Sequence, residues 1–473
     1  MPLARIASLT LLALAGFALA SAPARAQDLP RKNNEAFGTI NVLRDLPGGG
    51  IPKDKLADAQ KAFTSFAKYY AELFAHPLIY KAPTEFKDVK TPSGSPVPTI
   101  DGDAGILREI DRYMVYPQPD SRNVSGKQAD YIREMGAALD AAFKEQIETA
   151  ADAIVRINTA RAYAHVCRSG AAAHFATVTA MLSNANVRPE IKTYMIQSAG
   201  ALLWAYDPTE LRTRRHAADL KTVGALVAAL QDCIAKPELL VPGLPGNKLD
   251  QNTPTDQFLV VAFLRRQAVQ ALAQCRFAVI AGPDGKTSIY PAHTLCRVAL
   301  ADPALIFPPS PGEAADAALG ILNMAPVRVM PDGRAEVVKG YNADAALEAV
   351  TSALLTFAAP RAARNDDRTL PWANYAVRLA EALLTYRKLF DPDFDPTTNK
   401  FDGKLAPPAL DEYTKSITAR VLAPMDKVVV GNNVQIEELR KRLQAARNNP
   451  MRKTELVAGV GATSVAFPPP KAP

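Results

Sequence analysis

The sequence predicts an all-α chain, and three observations carry that expectation. Alanine is spread through most of the 473 residues, and it enters a helix with no loss of side-chain entropy. Apolar and small residues recur at i, i+4, i+7, i+8 and i+11 in several separate segments, which is the stripe of an amphipathic helix. Nothing reads as a run of β-strands. The clearest segment is Phe263 to Gln274, FLRRQAVQALAQ.

At 100° per residue, Leu264, Ala268, Ala271, Leu272 and Cys275 fall on one stripe of this segment. Arg265 lies at the edge of the stripe and Arg266 on the far side, so the two guanidinium groups diverge and do not clamp one phosphate. Val155, Thr159, Ala162, Tyr163 and Val166 repeat the spacing, as do Ile191, Met195, Ser198, Ala199 and Leu202. A basic residue follows the first apolar position each time: Arg156, Lys192 and Arg265. Arg266 has no basic counterpart in the copies and reads as the one freer to meet solvent or a partner. Weaker echoes stand at Ala315, Ala318, Leu319 and Leu322, and at Leu379, Ala382 and Leu383.

LRRQAVQALAQ resembles the second helix of a HEAT-type repeat, whose pattern is V-R-x-x-A-x-x-A-L-G. VGALVAALQD, Val223 to Asp232, is similar to a first helix with its closing Asp, and NVRPEIKTYMIQSAGALL resembles a repeat loop entering a second helix. The resemblance covers about 125–390 and is clearest over about 150–280; irregular repeat lengths and the loop KPELLVPGLPGNKLDQNTPTD depart from the family pattern. It implies an armadillo-type α-solenoid of helical hairpins with helical N- and C-terminal flanks, a protein or peptide partner, and no catalytic activity. As structural repeat positions, Arg156, Lys192 and Arg265 are expected to bond to neighbouring loops and align successive repeats, with Asp232 as a partner for one of them. The physics points the same way, since small residues at i+4 and i+7 let helices approach closely, and stacked hairpins bury a stripe that one hairpin leaves open. A non-repetitive helical bundle is the rival that uses the same code.

Residues 1–26 read as a signal peptide: Arg5, the apolar run Ile6 to Ala20, and the small-x-small site Ala24-Arg25-Ala26. The run is shorter than the roughly 20 residues that cross a bilayer. The expected location is therefore exported, periplasmic or secreted if the source is bacterial. Residues 27–125 form a helical and linker region, with a helix over Asp54 to Phe74 striped by Leu56, Phe63, Phe66 and Tyr70, and a short helix over Ala104 to Tyr113. The array spans 126–390, an acidic loop and C-terminal helices 391–448, and a Pro-rich tail, read as disordered, 449–473.

The formal net charge of +7 falls to +5 once Arg5 and Arg25 leave with the signal. That is mild for this length, and no nucleic-acid partner is expected. After signal cleavage no transmembrane segment is expected. The basic helix Arg440 to Arg447 supports one alternative, an envelope-associated protein contacting anionic lipid.

The other alternative is an exported enzyme, or a small-ligand or ion binder, with its site in the loops. DPDFDPTTNKFD places Asp391, Asp393, Asp395, Asn399 and Asp402 at calcium-loop spacing, but Pro396 occupies the sharp-turn position, so a looser calcium site stands against a solvated acidic loop. No other cofactor is expected. Gly285-Lys286-Thr287 lacks the upstream glycine of a phosphate loop and reads as a polar turn. His165 and His174 flank Cys167, a couple that catalysis would complete only with a positioned base and an oxyanion site. Of the four cysteines, Cys275 and Cys296 are the preferred disulfide, because a helical turn-back brings one helix end near the next; buried thiols acting as small hydrophobes are the other reading.

Overall fold

The computed structural model describes residues 29–45, 51–80, 97–102, 105–116, 128–206, 218–244 and 253–338 apart from 283, 285, 303, 304, 306 and 331, with a few isolated positions besides. These residues are mostly helical. The expected signal segment 1–26, the candidate calcium loop (Asp391, Asp393, Asp395, Asn399, Asp402), the basic stretch Arg440 to Arg447 read as a helix and the expected tail 449–473 lie outside the described residues.

Helix α1 (Asn34–Arg44) starts at Asn33, whose side chain accepts from the Ala36 amide. Next come α2 (Leu56–Ala75), the single turn α3 (Pro77–Tyr80) and α4 (Ile106–Asp111). Four consecutive pairs follow: α5 (Ala129–Thr149) with α6 (Ala153–Val166), α7 (Ala173–Ser183) with α8 (Pro189–Ala205), α9 (Leu220–Ala235) with α10 (Thr255–Leu272), and α11 (Pro291–Ala299) with α12 (Pro311–Asn323). Local chemistry sets their starts. Asp152 and Asp219 cap the first amides of α6 and α9, and proline opens α8, α11 and α12, where its missing N–H is not needed.

The members of each pair pack on one another. Across pairs, α5 meets α7, α7 meets α9, and α9 meets α11; on the other side α6 meets α8, α8 meets α10, and α10 meets α12. The N-terminal helices join the same core. Helix α2 lies on α5 and α6, and Phe37, Phe66, Tyr70 and Tyr113 pack as a set of aromatic rings between 4.7 and 6.2 Å apart. The expected stripe residues Phe63, Phe66 and Tyr70 of α2 are fully buried.

The described residues are mostly helical, as the sequence predicts, and add one small sheet that the all-α expectation did not include. A small sheet of order β2-β1-β3-β4 contains β1 (Phe277–Ala281), β2 (Ser288–Ile289), β3 (Ala325–Val329) and β4 (Ala335–Val337). Strands β1 and β3 are parallel, joined across α11 and α12, and each carries an antiparallel edge strand. The sequence concealed β1 because FAVIA is buried along almost its whole length, which leaves no polar alternation to read. The turn between β1 and β2 holds Lys286 and Thr287, whose amides both donate to Asp284 Oδ1 at 2.9 Å. Helix α9 accepts the sheet closely: a Cβ on Gly224 would lie 2.0 Å from the Ala281 carbonyl oxygen.

The four cysteines are buried free thiols, so the expected Cys275–Cys296 disulfide is absent. The Cys275 thiol turns instead to the carbonyl of Phe277 at 3.5 Å, while Cys296 sits in the middle of the buried face of α11.

Candidate functional site

Helix α10 carries the two adjacent arginines, and both reach α12. Arg265 is buried and makes a two-pronged pair with Glu313, Nε to Oε1 at 2.7 Å and the guanidinium Nη2 to Oε2 at 3.0 Å. It also donates to the Phe307 carbonyl at 3.0 Å and lies 3.5 Å from the centre of the Phe307 ring. Glu313 is itself placed by a capping box with Ser310. Arg266 pairs with Asp316 at 3.1 Å and covers Gly312, where a Cβ would stand 2.9 Å from its guanidinium carbon. Arg266, expected to be the freer of the two, is the more exposed, 33% against 3% for Arg265, and Asp316, one turn beyond Glu313, still engages it.

Lys192 of α8 is also buried, and its ammonium donates to two main-chain carbonyls: Leu182 near the end of α7, at 2.7 Å, and Leu239 in the turn after α9. Burial pushes its pKa down. Arg156 of α6 is half-buried and makes no side-chain hydrogen bond or ion pair among the described residues. Asp232 pairs with Lys236 one turn along its own helix, at 3.0 Å, rather than with Arg156, Lys192 or Arg265.

Beside the α8–α10 crossing a cavity of about 430 Å³ opens. The helices meet there through small residues: a Cβ on Gly200 would lie 3.2 Å from the Ala271 Cα. Among the described residues, the walls present Trp204, four glutamines (Gln197, Gln267, Gln270 and Gln274) and Arg168, and no acidic residue. Gln270 donates to Asp316 at 2.8 Å and accepts from Gln267 at 3.0 Å, which holds two of the amides in place.

Arg168 is positioned from behind by three more side chains. Its guanidinium lies 5.0 Å from the centre of the Tyr116 ring. The Tyr116 hydroxyl donates to Asp111 at 2.6 Å, and Asp111 also meets the His165 Nε2 at 2.6 Å. Burial and the Asp111 bond drive the Tyr116 pKa upward.

A second polar cluster joins α5, α6 and α7. Asp140 accepts from the Tyr163 hydroxyl and from Thr177 at 3.0 Å, and His174 Nδ1 stands 3.4 Å away. Cys167 lies in the same region as a fully buried thiol, and burial raises its pKa well above the ordinary value. Burial disfavours the thiolate that a nucleophile needs, and the His165 ring is engaged by Asp111. Among the described residues, no group of three or more His, Cys, Asp or Glu side chains is arranged to hold a metal, and no helix is long and apolar enough to cross a membrane.

Sequence reasoning missed Glu313, Asp316 and the Arg168–Tyr116–Asp111 set. Ser310 to Glu313, S-P-G-E, starts α12 with a capping box, but nothing local in the sequence pairs it with Arg265, 48 residues away. Comparison with protein-family models, with curated proteins and with solved structures gives no match to this chain.

Proposed function

We propose that this chain is an exported interaction scaffold: a HEAT-like array of helical hairpins whose α8–α10 groove takes an extended polypeptide segment from a partner. The observation that carries the reading is the two-sided succession of neighbours, α5–α7–α9–α11 and α6–α8–α10–α12, in which each helix touches its pair-mate and the corresponding helix of the next pair. A stack of this kind is built to present surface between repeats rather than to enclose a reaction. Lys192 and Arg265 serve as ties between successive pairs, since each reaches main-chain carbonyls outside its own helix. The groove's amides suit an extended chain, whose main-chain N–H and C=O groups are all unpaired, and each glutamine offers both a donor and an acceptor.

The test is recovery of a specific protein from the exported fraction on immobilised full-length chain, beside a Gln197→Ala/Gln274→Ala variant. Both side chains are exposed, so the variant keeps its fold. One protein held by the parent and lost from the variant supports the groove; equal recovery on both contradicts it.

A further inference from the structure

Resting on the scaffold reading, we propose that the segment taken by the α8–α10 groove is acidic, and that Arg168 is the residue that selects it by pairing with a side-chain carboxylate. Three observations carry this.

The first is charge. Among the described residues, the groove wall holds one cation, Arg168, and no acid. The acid touching its floor, Asp316, already faces Arg266 at 3.1 Å and Gln270 at 2.8 Å. Arg168 is exposed and forms no ion pair among the described residues; its described contact is the face of Tyr116.

The second is preorganisation. A free surface arginine loses rotamer freedom when it binds, which offsets much of the ion pair it makes. Arg168 is held in advance. Tyr116 stacks on it, Asp111 fixes the Tyr116 hydroxyl, and His165 fixes Asp111. With its guanidinium 5.0 Å from the Tyr116 ring centre, Arg168 still has N–H groups to offer a carboxylate.

The third is the shape of the amide lining. Gln267 and Gln270 lie at i and i+3 on the last turns of α10 and Gln274 follows in the turn just past its end, so the amides are spread along this edge of the groove. Trp204 supplies an apolar surface beside them. A helical ligand has its main chain already paired and would need an apolar strip here; an extended segment matches the amides.

The experiment uses full-length protein carrying Trp372→Phe, which leaves Trp204 as the reporter among the two tryptophans. Its fluorescence is followed while three peptides, capped at both ends, are titrated in: eight residues alternating Glu and Ser, the same with Gln, and the same with Lys. The Glu peptide is expected to bind about tenfold more tightly than the Gln peptide, the Lys peptide more weakly than either, and the Glu preference to shrink with added salt. Arg168→Ala is expected to bring the Glu and Gln peptides to equal affinity, and Arg168→Lys to retain part of the preference. Equal binding of all three peptides, or a Glu preference that survives Arg168→Ala, overturns the acidic ligand and leaves the polypeptide reading standing. Binding of none of them, or of a neutral oligosaccharide in their place, overturns both.

Discussion

Arg265 and Glu313 face each other across the α10–α12 contact as a buried two-pronged pair, with each side chain no more than 3% exposed. The pair closes the junction between the third and fourth helical pairs of the described structure. Removing one partner leaves the other charged and without its counter-ion in the interior. Arg265→Ala is therefore expected to lower unfolding free energy by about 3–5 kcal/mol. Denaturant unfolding measures this, and a loss below about 1 kcal/mol would show that the pair does not tie α12 to the array. Arg265→Met with Glu313→Leu should cost far less than either single change, because no lone charge then remains.

Lys192 gives the array a pH dependence of known sign. Its folded pKa is lowered by burial, so above that value the unfolded chain binds the extra proton, and stability rises with pH toward the ordinary lysine value of 10.5. Lys192→Met has no such proton. The stability of the parent relative to Lys192→Met should grow as pH is raised from neutrality to 10.5, read from urea midpoints; a flat difference contradicts the buried placement.

Gly224 is the point where α9 and the end of β1 touch. Gly224→Ala places a methyl group where the Ala281 carbonyl oxygen stands, and backbone there cannot yield easily. A loss of about 1–3 kcal/mol is expected, against a slight gain for Gly→Ala in an unobstructed helix. An unchanged or raised melting temperature would mean that the sheet does not dock on α9.

Asp140 serves three donors on two other helices. Asp140→Ala strands the Tyr163 and Thr177 hydroxyls and the His174 ring, at a cost of about 3 kcal/mol. Denaturation of the variant beside Tyr163→Phe, which removes one donor and should cost about 1 kcal/mol, separates the shared acceptor from a single bond.

The thiols distinguish the two readings of the cysteines. Burial raises Cys233 to about 11 and Cys275 to about 12, so little thiolate exists at neutral pH. Protein purified without reductant should react slowly with a thiol reagent when native and release all four thiols when unfolded. Recovery of two, with peptide mapping that joins Cys275 to Cys296, would restore that disulfide.

Much of the helical organisation was legible because each helix writes its buried stripe locally. Leu264, Ala268, Ala271, Leu272 and Cys275, placed together on the wheel, are all buried. Arg265 at the stripe's edge was legible as a special position, but its partner was not, since Glu313 arrives from 48 residues away. Helix α10 also departs from the other two copies. Arg156 and Lys192 each stand four residues into their helices, whereas Arg265 is two turns further from the start of its own, and that extension exposes Phe258 and Leu259. The sheet escaped because its edge strands are two and three residues long, too short for alternation to show. The groove has no local signature at all, since Arg168, Trp204 and the glutamines come together only when α8 packs on α10.

Site-specific photo-crosslinking in the native compartment tests the central claim, that the α8–α10 groove holds a polypeptide, most directly. A photoreactive residue at Gln197 or Gln274 should give one recurring protein adduct, identified by mass spectrometry, whereas the same probe at Lys61 on α2, well away from the groove, should not. Adducts of equal yield from all three positions, or none from the groove, would contradict the account.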